Sequence, residues 1–352
     1  MKKVAILTLI ILMFTGIMYS QNDGPLKLAQ GDDIYLTKPL NPELSLTPVQ
    51  YKNRFGISIA AHLYLRKDFD KSKKHPAILI GAPYGGVKEQ GPTVYAQEMA
   101  LRGFVALTFD ESFNGESGGD VKDLSSPEVF VEDFSAGVDY LGTRDFVDRD
   151  KIGVIGICGS GGFALTAAQA DPRIKAVATA SMYDISDWIR NGIDGSTTAR
   201  DREKTKERLA KQRWEDFEKG EPKMPGMGWP KKPAQKAPGI LPPVMKEFYE
   251  YYGTERGWHP NTLDNFTLTS ALSFMTFPLI SHIEEISPRP VLIIVGENAH
   301  SINWSKKAYE SAAQPKELVI IPEANHIDLY DGGDKNYIPF EKLESFFKES
   351  LK

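Results

Sequence analysis

Cysteine is nearly missing from this chain: Cys158 is the only one in 352 residues. No internal disulfide can therefore form, and the one thiol is either inert and buried or reactive. Excess positive charge is missing too. The 42 Lys and Arg against 47 Asp and Glu give a formal net charge of -5, which supplies no electrostatic footprint for nucleic acid. No internal repeat is visible. The one long apolar run, Val4 to Tyr19, falls short of the roughly 20 residues a membrane span requires.

What is present fits a globular chain with a large core, 41% hydrophobic and 25% charged. Lys2-Lys3 before the apolar run, and Ser20-Gln21 after it, read as a secretory signal peptide over residues 1–20, cleaved after Ser20. The expected mature protein is periplasmic or secreted, without stable membrane association after cleavage. No cysteine stands at the cleavage site to take a lipid anchor. An unpaired thiol in an exported protein points to reactivity or intermolecular pairing; the sequence does not specify the oligomeric state.

Residues 21–47 are polar and aperiodic and predict an extended lead-in. Tyr51 to Leu65 alternates around Asn53-Arg54-Phe55-Gly56 and predicts a hairpin. Strands are then expected at His75 to Gly81, Phe104 to Asp110, from Ile152, and at Ile174 to Ala180. Helices are expected at Pro92 to Arg102, Pro127 to Leu141 and from Gly161. This alternation predicts an α/β fold whose mostly parallel sheet carries helices on both faces. From about Ile185 to Ser287 strand signals stop. The charged helical stretch Thr198 to Lys219, a Pro/Gly/Lys-rich loop and an aromatic stretch read as a largely helical cap over residues 185–287. The pattern resumes at Pro290 to Glu297, so the core is expected over 48–184 and 288–352.

The densest signal is Lys151-Ile152-Gly153-Val154-Ile155-Gly156-Ile157-Cys158-Gly159-Ser160-Gly161-Gly162. A β-branched run, a turn of small residues and an immediate helix are the sequence form of a nucleophile elbow, where the nucleophile sits in a strained conformation between strand and helix. Counting two residues past the glycine that ends the strand gives Cys158; Ser160 is the second choice. A thiol nucleophile needs a base, and His326 follows the last expected strand, Glu317 to Pro322, in Ala324-Asn325-His326. For the orienting acid, the loop Gly296-Glu297-Asn298-Ala299 has alanine where aspartate is expected. Asp184 closes the Ser181-Met182-Tyr183 strand end and is the preferred substitute, with Glu297 second and a Cys-His dyad also open. Oxyanion donors are expected from the N–H groups of Gly159 and Tyr84, since Pro83 has none to offer.

These residues resemble the α/β-hydrolase superfamily, and in particular its dienelactone-hydrolase-like branch with a Gly-x-Cys-x-Gly-Gly elbow. Gly156-Ile157-Cys158-Gly159, Met182-Tyr183-Asp184 and His326-Ile327-Asp328-Leu329-Tyr330-Asp331 are similar to a group of bacterial hydrolase-like proteins. The resemblance implies an esterase-type hydrolase that cleaves ester, thioester, lactone or amide bonds of a small-molecule acyl substrate without a cofactor. Ser160 and Ala299 depart from that pattern. Two other readings stand beside it. Gly159-Ser160-Gly161-Gly162-Phe163-Ala164, with Asp184 about 20 residues on, satisfies a dinucleotide fingerprint. A scaffold without a full triad could also bind a ligand under its cap without turnover.

Overall fold

The computed structural model describes residues 25–225, 228–263 and 265–352; the expected signal peptide lies outside them. The hairpin comes first, β1 (Leu44–Lys52) against β2 (Ser58–Arg66). Asn53 makes its turn, its side-chain carbonyl accepting the N–H groups of Phe55 and Ile57 at 3.0 Å each. β1 starts earlier than the alternation suggested, because Leu44 to Thr47 pair with Arg66 to Leu63; the lead-in is shorter by that much.

Next come β3 (His75–Gly81), α1 (Gly91–Leu101), β4 (Val105–Phe109), α2 (Pro127–Gly142), β5 (Val147–Ile157), α3 (Gly159–Ala170) and β6 (Ala176–Ala180). The strands join one eight-stranded sheet in the order β1-β2-β4-β3-β5-β6, continued by β7 (Val291–Gly296) and β8 (Lys316–Ile321). β1 and β2 are antiparallel, as are β2 and β4; every other neighbouring pair is parallel. β4, β6 and β7 are buried along their whole length. Their unbroken apolar runs belong in the interior of a sheet covered on both faces.

α2 packs on α3 and both meet β5, while α1 contacts α10 (Phe340–Ser350). The mostly parallel, doubly covered sheet expected from the sequence is thus the architecture found.

Between β6 and β7 run α4 (Ile185–Asn191), α5 (Ala199–Lys219), α6 (Pro243–Tyr252) and α7 (Ala271–Thr276). Among the described residues this segment has no strand, only an isolated bridge between Ala234 and Thr254. α5 owes its length to its ends: Thr198 and Asp201 form a capping box, and Gly220 closes it at φ 74°. α8 (Ile302–Ser311) follows β7, and the short α9 (Asp328–Asp331) follows β8. No described helix is long and apolar enough to cross a membrane.

Candidate active site

β5 runs straight into Cys158, whose backbone sits at φ 54°, ψ -120°, a strained region for a residue with a β-carbon. Three backbone bonds hold it there: its N–H donates to the Ala180 carbonyl at 3.0 Å, and its carbonyl accepts the N–H groups of Tyr183 at 2.8 Å and Gly161 at 2.9 Å. The glycines around it are sterically required. A β-carbon on Gly156 would lie 2.2 Å from the Ser160 carbonyl oxygen, and one on Gly161 would lie 2.6 Å from the Met182 β-carbon. Gly162 approaches the Tyr183 carbonyl equally closely. The packing of α3 on β5 and on the Met182-Tyr183 turn is enough to require glycine at all three positions.

Ser160 is not placed to attack a substrate. Its hydroxyl donates to Glu111 Oε1 at 3.0 Å in a fully buried pair. Gly81 covers it so closely that a β-carbon there would fall 2.6 Å from Ser160 Oγ.

The backbone N–H groups of Gly159 and Tyr84 face the Cys158 sulfur, as does the Tyr330 hydroxyl. Burial pushes the thiol up to about 11, against the pull of these donors. Gly159 and Tyr84 touch, since a β-carbon on Gly159 would be 2.7 Å from the Tyr84 β-carbon. The Tyr84 hydroxyl is anchored on Ser125 Oγ at 2.6 Å, and its ring lies 4.1 Å from that of Phe266.

His326 is fully buried. Asn325 and Asp328 form a reciprocal pair, each backbone N–H donating to the other's side chain at 3.0 and 2.9 Å. This starts α9 with His326 and Tyr330 four residues apart on one side. The ring's Nε2 is 3.0 Å from the Tyr330 hydroxyl and its Nδ1 is 2.7 Å from Ser301 Oγ. Burial, with His300 adding to it, holds the imidazole well below its ordinary pKa, so it is neutral at physiological pH. The two histidine rings lie 4.5 Å apart.

Neither expected carboxylate reaches this ring. Asp184 caps α4, accepting the Asp187 N–H at 2.9 Å, and burial pushes it up to about 6. Glu297 accepts the Glu323 N–H at 3.1 Å in an exposed loop. Position 299 is a buried alanine, and two residues on Ser301 supplies the partner of Nδ1. Glu247 of α6 stands near by another route: its Oε1 accepts the N–H groups of His326 and Ile327 at 2.9 and 3.2 Å, and its Oε2 is 3.4 Å from His300 Nδ1. Arg256 adds a second tie to α9, with Nε 2.7 Å from Asp331 and Nη2 3.1 Å from Asp328.

Cys158 opens on a cavity of about 180 Å³ lined by Tyr84, Tyr183, Trp188, Phe248, Tyr252 and Tyr330, among others. Trp188, Trp229, Met245, Phe248 and Tyr252 of that lining come from the 185–287 segment. An adjoining cavity of about 350 Å³ shares Tyr84, Trp188, Trp229 and Tyr252 with it.

A second polar cluster lies away from the thiol. His62, Glu89 and Glu116 bring ligand-type atoms within 4.8 Å of one another. The Lys88 ammonium already fills the place of a cation there, at 2.6 Å from Glu89, 2.9 Å from Asp110 and 2.7 Å from Glu116. The cluster is an internal ion group, and the set does not fit a metal.

Residues 56–224 match the family described as X-Pro dipeptidyl-peptidase (S15 family). The protein PA2218 of Pseudomonas aeruginosa is 46% identical over 318 residues, 90% of this chain and 83% of that one. Its crystal structure superposes with a TM-score of 0.87 at 44% identity, over 94% of this chain and all of that one. This chain belongs to the α/β-hydrolase superfamily. Within the superfamily the chain groups with PA2218 and with YcjY of Escherichia coli, which is 35% identical over 89% of this chain and 100% of its own. A more distant superfamily relative, the acyltransferase DrtE of Aspergillus calidoustus, is 24% identical over 85% of this chain and 94% of its own. The S15 match contains the elbow and ends before His326, Ser301 and Tyr330.

Proposed function

We propose that this protein cleaves an ester, thioester or lactone bond through an acyl-enzyme on Cys158, with His326 as base. The observation that carries the reading is a thiol in a strained elbow, faced by two backbone N–H groups, at the floor of an apolar cavity. In this reading the Cys158 sulfur attacks the substrate carbonyl and the N–H groups of Gly159 and Tyr84 receive the developing oxyanion. The proton taken from the thiol ends on His326, and the tetrahedral adduct collapses with that proton returned to the leaving group. Water, deprotonated by His326, then releases the acid. At about 180 Å³ the cavity is smaller than the roughly 300 Å³ where drug-sized sites begin, which favours a short or aromatic acyl group. DrtE is an acyltransferase, and the same acyl-enzyme would serve transfer to another acceptor. The 185–287 segment acts as the cap that supplies the aromatic walls, and the mature protein works outside the cytoplasm.

The test is hydrolysis of short and medium p-nitrophenyl esters by residues 21–352 and by three variants. Cys158→Ala and His326→Ala are expected to lose roughly 1,000-fold or more, while Ser160→Ala keeps the wild-type rate within about threefold, its hydroxyl being engaged with Glu111. Activity surviving in Cys158→Ala would remove the thiol from the reaction. A wild type inert on every ester would favour the reading in which the scaffold binds a ligand without turnover.

A further inference from the structure

We infer that the Tyr330 hydroxyl is the proton bridge between Cys158 and His326, so that the thiol and its base communicate only through this phenol. The inference rests on the reading of Cys158 as nucleophile and adds a catalytic residue to it. Three observations support it. Both ring nitrogens of His326 are already engaged, Nδ1 with Ser301 and Nε2 with the Tyr330 hydroxyl at 3.0 Å. The same hydroxyl lies within hydrogen-bond reach of the Cys158 sulfur. Finally, Tyr330 is among the residues that line the cavity together with Cys158, whereas His326 is not.

The phenol is also held in place. Its ring packs edge-on against Tyr251 at 5.2 Å and against His326 at 5.4 Å. The backbone that carries it is tied by Arg256 to Asp328 and Asp331, and the preceding Leu329 carbonyl accepts the Tyr95 hydroxyl at 2.6 Å. Burial keeps the Tyr330 hydroxyl protonated far above its ordinary range, so it can donate and accept at once. The step balances: the S–H proton passes to the Tyr330 oxygen as the phenolic proton passes to His326 Nε2. What remains is a thiolate, an unchanged tyrosine and an imidazolium. The reverse passage delivers the proton to the leaving oxygen or sulfur.

Alkylation of the protein by iodoacetamide reads this directly, because Cys158 is the chain's only thiol and no substrate has to be known. At neutral pH Tyr330→Phe and His326→Ala are each expected to slow alkylation about tenfold or more. The double variant should be no slower than the slower single one, since both break one path. Wild-type alkylation in Tyr330→Phe, or effects that multiply in the double variant, would overturn the bridge. The wild-type enzyme gives an independent reading: the acylation rate in mixtures of light and heavy water should curve as two protons in flight require. A straight line means one proton, passed from Cys158 to His326 without the phenol. Loss of the nucleophile reading would show instead as ester turnover surviving in Cys158→Ala, so the two failures are separable.

Discussion

At the scale of single residues, the unusual feature is a histidine held between a serine and a tyrosine. An aspartate on Nδ1 would fix the tautomer and stabilise the imidazolium. Ser301 can do the first through its hydroxyl, but it brings no charge for the second. Ser301→Ala should therefore leave His326 free to turn and lower ester turnover by roughly tenfold, with KM nearly unchanged. Asp184→Asn should keep turnover within about threefold, because asparagine caps a helix as well as aspartate does. Steady-state kinetics on the two variants check both. A loss near 10,000-fold in Asp184→Asn, the size expected for a triad acid, would return Asp184 to the site.

At the scale of elements, everything depends on how closely α3 crosses β5. Gly156→Ala would force a β-carbon to 2.2 Å from the Ser160 carbonyl, and backbone cannot move aside as a flexible side chain can. Urea unfolding should show a loss of about 3 kcal/mol, whereas Gly239→Ala, with nothing within 4 Å, should be close to neutral. This crossing was legible in the sequence. Small residues beside a β-branched run leave few other structures open, and the strand–helix alternation set the sheet and both ends of most helices to within a few residues. The site was legible only in part. Cys158 and His326 follow from chain order after recognisable strands. Ser301 and Glu247 carry no spacing signal, because each meets His326 through tertiary contact, Glu247 across 79 residues of chain; Tyr330 is four residues from His326, but a helix as short as α9 has no periodicity to show that the two share a face. Asp184 looked like an acid because it ends a strand, yet a strand end is also where a helix cap belongs.

At the scale of the whole molecule, the buried ionisable groups set how stability depends on pH. Burial raises Glu89 to about 8, while His62 and His259 are lowered to about 3 and 4, burial again leading. A carboxyl raised in the folded state keeps a proton that the unfolded chain releases. Its contribution is intact below the unfolded value of 4.5 and is lost as pH rises through about 8. The two histidines act oppositely, costing stability as pH falls from 6.5 towards their lowered values. Above 6.5 the raised carboxyls remain, Glu89 together with Asp133, which burial lifts to about 7, so Tm should fall between pH 6.5 and 8. Glu89→Gln, whose amide nitrogen can take the place of the partnerless Oε2, should flatten that decline. A decline as steep in Glu89→Gln as in the wild type would show that Glu89 is ionised in the folded protein.

The ties from Glu247 and Arg256 to the loop of His326 and Tyr330 also bear on how such a protein can diverge. The stretch that walls the cavity at Cys158 is stitched to the stretch that holds His326, so neither is an interchangeable cassette. Recombination that imported a foreign 185–287 segment would bring new walls and at the same time unpin α9. New specificity in this lineage should therefore arise by stepwise replacement of wall residues such as Trp188, Met245 and Phe248, with the two stitches inherited intact.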